Sequence, residues 1–80
     1  MSIIRFYCYD NDLCVGEALF YPKHVVLNWK PDKELSPHAL RYKYKYTDYF
    51  ISQLCTMPRE FVKNKSTIMI KYHHLILKKE

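Results

Sequence analysis

The longest periodic pattern of apolar and polar positions in this chain runs from Ser36 to Lys63. Apolar residues recur there every three or four positions, which is the spacing of one side of an α-helix. The residues predicted to face inward are Leu40, Tyr44, Thr47, Ile51 and Leu54, joined by Phe50, Cys55, Met57, Phe61 and Val62. We therefore expect one long helix with a single buried side.

The sequence marks the start of this helix and an interruption within it. A serine hydroxyl caps the free amides of a first turn and proline suits the first helical position, as in Ser36-Pro37. Pro58 removes one backbone hydrogen bond, so we expect a kink or a break there. The alternative is a strand at Arg41–Tyr46, where tyrosines alternate with basic residues over six positions. The helix is favoured because its pattern extends over more than twenty residues.

Four shorter segments are rich in β-branched and aromatic residues and are predicted as strands. They are Ser2–Tyr9, Leu13–Tyr21, Val25–Trp29 and Thr67–Leu77. In the last of these, the alternation places Ile68, Ile70, Tyr72 and Ile76 on one face. The element order is then β-β-β-α-β, which predicts an α+β fold, a small antiparallel sheet with one long, kinked helix packed on one face. We expect a single small domain over residues 1–80.

The first hairpin turns at Asp10-Asn11-Asp12, since Asx residues favour turns. A three-residue loop centred on Asn11 predicts the opposite pairs Arg5–Glu17, Phe6–Gly16 and Cys8–Cys14. Facing cysteines could form a disulfide or half of a metal site, but their five-residue gap does not fit a zinc knuckle. We therefore interpret Cys8 and Cys14 as small core thiols and expect no metal.

One helix can cover only one face of such a sheet. The hairpin residues predicted to meet the helix are Ile4, Phe6, Cys8, Ala18 and Phe20. The opposite face would carry Ile3, Tyr7, Tyr9, Val15, Leu19 and Tyr21. Because that face is too apolar for water, we expect a partner or a second copy to cover it at Tyr7, Tyr9, Val15 and Leu19.

Composition and charge narrow the class of protein. The 80 residues are 49% hydrophobic and 26% charged, which is typical of a globular domain, and the net charge of +5 suits an anionic partner. Lysines outnumber arginines, a bias of AT-rich coding DNA that weakly favours a phage or mobile-element origin. No run is long and apolar enough for a membrane span, and no leader is visible, so we expect a cytoplasmic protein.

The outward side of the helix is the main candidate contact surface. Its cations and rings are Arg41, Lys45, Arg59 and Lys63 with Tyr42, Tyr46 and Tyr49. Cations neutralise phosphates and rings stack on bases, but tyrosine and arginine are equally typical of protein interfaces. An ordinary solvated face, interrupted by Asp48 and Glu60, is the third interpretation.

The sequence contains few residues or motifs that indicate catalysis. Gly16 is the single glycine, which excludes glycine-rich phosphate loops, and no cofactor motif is present. We therefore predict a non-enzymatic protein that docks on a protein or nucleoprotein complex, such as a phage inhibitor of host machinery or an anti-CRISPR protein. The first alternative is nucleic-acid binding through the helix face. The second is a small ribonuclease toxin that uses His38, His73 or His74.

Overall fold

The computed structural model describes residues 3–70 and 75–80. Its strands are β1 (Ile4–Asp10), β2 (Leu13–Phe20), β3 (Val25–Trp29), β4 (Thr67–Ile70) and β5 (Leu75–Lys79). All neighbouring strands pair antiparallel, in the order β3-β2-β1-β5-β4. A helical layer between β3 and β4 covers one face of this sheet, so the predicted α+β fold is confirmed.

The helical layer begins where the sequence predicts it. Helix α1 (Pro37–Arg41), a π-helical segment (Tyr42–Tyr46) and α2 (Thr47–Cys55) follow one another without interruption. The Ser36 side chain accepts a hydrogen bond from the Ala39 amide at 3.1 Å, which is the predicted cap. The strand at Arg41–Tyr46 that the alternation allowed does not form.

The predicted break at Pro58 is also present. Extended backbone at Pro58 separates α2 from a short helix α3 (Arg59–Lys63). Pro58 lacks the amide that would continue the helix of α2. Its own carbonyl accepts from Val62 and so opens the next helix.

The residues that the helix buries match the predicted set only in part. Phe50, Leu54 and Val62 are buried as predicted, and Leu40 and Met57 pack partly buried against the core. Ala39 and Tyr42 are buried as well, with Tyr46 half-buried beside them, and the sequence placed none of these three inside. The prediction placed Tyr44, Cys55 and Phe61 inside, and all three are exposed. Apolar residues occur on both sides of this helix, so its spacing alone allowed two orientations.

The register of the first hairpin also differs from the prediction. The loop has two residues, Asn11 and Asp12, and Asn11 adopts a positive φ of 58°. Across most of the hairpin the pairing is shifted by two residues, so that Phe6 lies opposite Ala18 rather than Gly16. A shift of two keeps every side chain on its face, and the predicted covered face is therefore confirmed.

A β-bulge interrupts the hairpin between Cys8 and Tyr9. The extra residue reverses the alternation locally, so Val15 is buried in the core and not on the uncovered face where the sequence placed it. Cys8 lies opposite Gly16, and Cys14 lies opposite Tyr9 on the other face. The prediction that the two cysteines face each other is wrong.

The C-terminal segment forms two strands where one was predicted. Strands β4 and β5 pair antiparallel, with Ile68 opposite Leu77 and Ile70 opposite Leu75, all four buried. Ile76 therefore lies on the uncovered face, not beside Ile68 and Ile70 as predicted. Tyr72, which was predicted on the same face as these residues, lies outside the described residues.

The core lies between the sheet and the helical layer. Its most deeply buried large side chains are Phe6, Phe20, Phe50, Leu54, Leu75 and Leu77. Gly16 allows strand β3 to approach closely, because a Cβ at this position would lie 2.3 Å from the Asn28 carbonyl oxygen. The other face of the sheet, which we call the outer face, has no covering element among the described residues.

Candidate functional site

The outer face carries an apolar row that crosses four strands. Pairing places Tyr9 of β1 beside Cys14 of β2 and Ile76 of β5, and Ile76 beside Met69 of β4. We call Cys14, Tyr9, Ile76 and Met69 the apolar row. Cys14, Tyr9 and Ile76 are half-buried, and Met69 at the end of the row is 68% exposed.

A polar row lies beside the apolar row. It consists of Asn28, Glu17, Tyr7, Lys78 and Thr67, which are paired across all five strands. Glu17 accepts a hydrogen bond from the Asn28 amide at 3.2 Å and lies 3.6 Å from the Arg5 guanidinium. The Lys78 ammonium lies 5.0 Å from the centre of the Tyr9 ring. Charges of this row therefore have partners within the chain.

Of the predicted sheet-face residues, Tyr7, Tyr9 and Leu19 lie on the outer face and Val15 does not. Sequence reasoning missed Met69 and Ile76. It treated Thr67–Leu77 as one strand, so the register that brings these two residues beside Tyr9 was not visible.

An open depression of about 270 Å³ lies where the two rows meet β3. Tyr7, Cys14, Glu17, Asn28 and Lys30 contribute to its lining. The Cys14 thiol donates to the Gly16 carbonyl oxygen at 3.5 Å. The size of the depression suits one side chain of a partner better than a drug-sized ligand.

On the helical layer, the structure separates the predicted basic and aromatic residues. Arg41 and Lys45 are exposed and form no side-chain hydrogen bond or ion pair within residues 3–70 and 75–80. Tyr49 is 40% exposed. Tyr46 is half-buried and packs on Phe50 with ring centres 6.2 Å apart.

Tyr42, which was predicted to face outward, is buried in the core. Its ring lies 5.5 Å from that of Phe50 and 4.6 Å from that of His38. Burial raises the pKa of the Tyr42 phenol, and the nearby Asp10 carboxylate raises it further. Tyr42 is therefore not available to a partner at the helix surface.

Two further residues of the predicted contact surface, Arg59 and Lys63, have partners within the chain. The Arg59 Nε donates to the Tyr21 carbonyl oxygen at 2.8 Å, and its guanidinium lies 5.3 Å from the centre of the Phe20 ring. It therefore ties α3 to the end of β2. Lys63 lies 3.8 Å from Glu60, one turn before it in the chain.

Asp10, which the sequence analysis interpreted only as a turn residue, forms a hydrogen bond with His38. Asp10 is 6% exposed, and its Oδ2 lies 2.9 Å from the His38 Nδ1. The other oxygen, Oδ1, has no hydrogen-bond partner in the described structure. The His38 side chain is 54% exposed, so Asp10 fixes the ring and leaves Nε2 for other contacts. The predictions for His73 and His74 lie outside the described residues.

Neither the described residues nor the comparisons with known proteins point to a metal ion or a family. Within the described ranges, no three metal-ligating side chains are grouped so that they could hold an ion. None of the described helices has the length and apolar character needed to cross a membrane. No protein-family model, no curated protein and no solved structure matches this chain.

Proposed function

We propose that this chain is a small non-enzymatic binding protein that docks on a protein or nucleoprotein complex through its outer sheet face. The observation that carries the proposal is the apolar row, which is continuous over four strands, half-buried at Cys14, Tyr9 and Ile76, and open to solvent at Met69. An exposed apolar patch of this kind marks interaction sites on soluble proteins.

The chemistry around the row is typical of an interface. A large aromatic ring, Tyr9, lies in the middle of the row, and the charged side chains lie beside it. Interfaces commonly combine an apolar centre that contains tyrosine with a polar rim. The depression beside Cys14 could receive one projecting side chain of the partner.

The charge of the chain favours a different, acidic protein over a second copy. Two copies would each bring a net charge of +5 to the contact, whereas an acidic surface complements that charge. Inhibitors of host machinery that phages and mobile elements encode, including anti-CRISPR proteins, are a class that acts by such occupation of a surface.

The test compares capture by matched variants. Tagged chain is incubated with nuclease-treated lysate of bacterial cells, using wild type, Tyr9→Ser with Met69→Ser, and a Phe61→Ser control that removes an exposed ring from the helical layer. We expect a discrete protein to be retained by wild type and the control and lost from the double variant. Equal capture by all three, or capture of nothing, contradicts docking through the outer face.

Size-exclusion chromatography tests the choice of partner. We expect the pure chain to elute as a monomer. A dimer that the Tyr9→Ser and Met69→Ser changes dissociate would replace the acidic partner by a second copy.

Incubation with RNA tests the ribonuclease alternative. We expect the purified chain to leave RNA intact. Cleavage that His38→Ala abolishes and His24→Ala preserves would replace the non-enzymatic proposal, because only His38 of this pair has a buried carboxylate to orient its ring.

A further inference from the structure

A second surface lies on the outward side of the helical layer, separate from the sheet face. His38, Arg41 and Lys45 stand at positions i, i+3 and i+7 of one continuous helical stretch. The residue that follows each of them in the chain turns inward, so the three lie along one side of the helix. All three side chains are exposed.

The charges of this trio differ from the other cations of the helical layer. Lys43 lies 2.5 Å from Asp32, Arg59 binds backbone carbonyls, and Lys63 lies near Glu60. Arg41 and Lys45 have no such partner in the described part of the chain. Asp48, one turn beyond Lys45, forms no ion pair with it there. Their charges therefore remain available to an external anion.

The third member, His38, is held in place by the core. The nearly buried Asp10 carboxylate accepts the hydrogen bond of Nδ1–H, so the ring is fixed, and when the ring is protonated Nε2–H is left to donate to an outside acceptor. A ring that is already oriented loses less freedom when it binds. Asp10 thereby adds a preorganised contact to two flexible cations.

We propose that His38, Arg41 and Lys45 bind the phosphate backbone of a single-stranded nucleic acid. Two exposed cations in line match a chain whose anions repeat, because cations of this kind dominate such binding, and the oriented His38 ring lies beside them. Tyr49, one turn beyond Lys45, offers an exposed part of its ring to an unstacked base. Bases of a duplex are stacked and paired, so the exposed ring favours single strands.

The inference revises the nucleic-acid surface that the sequence predicted. The revised surface no longer includes Arg59, Lys63, Tyr42 and Tyr46, and it adds His38. It is also independent of the outer face, because changes at Tyr9 and Met69 do not touch this side of the molecule. A negative result for one surface therefore does not contradict the proposal for the other.

Fluorescence anisotropy with a labelled oligouridylate tests the inference. With the two phosphates at Arg41 and Lys45 neutralised, the slope of log K against log salt is about −1.4 for a single strand. Raising salt from about 50 to 200 mM then weakens binding about sevenfold. In Arg41→Gln with Lys45→Gln, both charges are gone, and the same change in salt should leave the residual binding nearly unchanged.

A charge-matched control separates this site from general attraction. Lys23→Gln with Lys65→Gln removes the same charge elsewhere on the surface and should keep the wild-type salt slope. Equal effects of the two double variants, or no binding by wild type at low salt, overturn the proposal. So does competition by polyglutamate as effective as that by unlabelled oligouridylate, since it would point to an acidic protein.

Discussion

The two faces of the sheet are built from the same strands, but one is buried under the helical layer and the other has no covering element among the described residues. Leu77 and Ile76 are neighbours in β5, yet Leu77 is fully buried under the helical layer and Ile76 lies in the apolar row of the outer face. The covered face is nearly all hydrophobic. The outer face alternates an apolar row with a polar row whose charges pair within the chain.

The difference shows how a chain of 80 residues divides its apolar residues between stability and binding. One helical layer can shield only one face, so the hydrophobic free energy of folding comes mainly from that side. Apolar residues on the other side contribute less to stability and remain available to a partner. If this division is correct, paired substitutions on the two faces should separate stability from binding.

The largest expected contrast is in the reactivity of two cysteines. Burial on the covered face raises the pKa of the Cys8 thiol from 9.0 to about 12. At about pH 8 this lowers its thiolate fraction roughly a thousandfold, and the thiolate is the reactive form. Iodoacetamide labelling of folded single-cysteine variants, followed by mass spectrometry, should modify Cys14 on the outer face long before Cys8. Comparable rates would show that the core opens readily.

The second contrast compares Leu77→Ala with Ile76→Ala. Loss of the fully buried Leu77 side chain should lower the free energy of unfolding by about 2–5 kcal/mol, because it leaves a cavity. The Ile76 change should cost under about 1 kcal/mol. Urea denaturation measures both. Equal losses would mean that something covers the outer face in solution.

The third contrast concerns the polar contact at the edge of the covered face. His38→Ala removes the hydrogen-bond partner of the nearly buried Asp10 carboxylate and should cost about 1–3 kcal/mol. His24→Ala, at an exposed ring stacked on Tyr21, should cost less than about 0.5 kcal/mol. Thermal or urea unfolding gives the comparison. Adding Asp10→Asn to the His38 variant should restore part of the loss, and no restoration would argue against a desolvated carboxylate.

The smallest effect is expected at the exposed margin of the helical layer. The Lys43 ammonium and then the Tyr44 hydroxyl hold the pKa of Asp32 below its usual 3.8 by bonding its carboxylate. A lowered pKa in the folded state stabilises the fold above about pH 4, and this contribution is lost as pH falls through the folded value. The Tm of Asp32→Asn should lie slightly below wild type at neutral pH and converge with it in acid. A constant difference would exclude the ionised carboxylate as the cause.

Local sequence signals predicted much of the fold. Strand β3 has the predicted bounds, the Ser36 cap and the Pro58 break are present, and the covered face of the hairpin is correct. The division into β4 and β5 was missed because residues 67–77 contain none of the glycine, proline or asparagine that marks a break between strands. The bulge that buries Val15 did have a local signal in the adjacent Gly16, since an isolated glycine inside a strand is typical of a bulge.

The candidate surfaces were less accessible to sequence reasoning. Arg59 belongs to the basic pattern of the helix, but its Nε donates to the carbonyl oxygen of Tyr21, which is far away in the chain. Asp10 reads as a turn residue until His38 is placed beside it. Met69 and Tyr9 form one row only because β5 lies between their strands. Each of these assignments depends on a contact between distant residues.

The sequence by itself determined the elements, the α+β class and the excess of positive charge, because capping, periodicity and composition act over a few neighbouring residues. The tertiary structure decided which side of the helix is buried, where Val15 and Ile76 point, and which cations remain unpaired. The physical reason is that burial and ion pairing depend on partners from other elements. The two proposed surfaces are therefore properties of the folded chain.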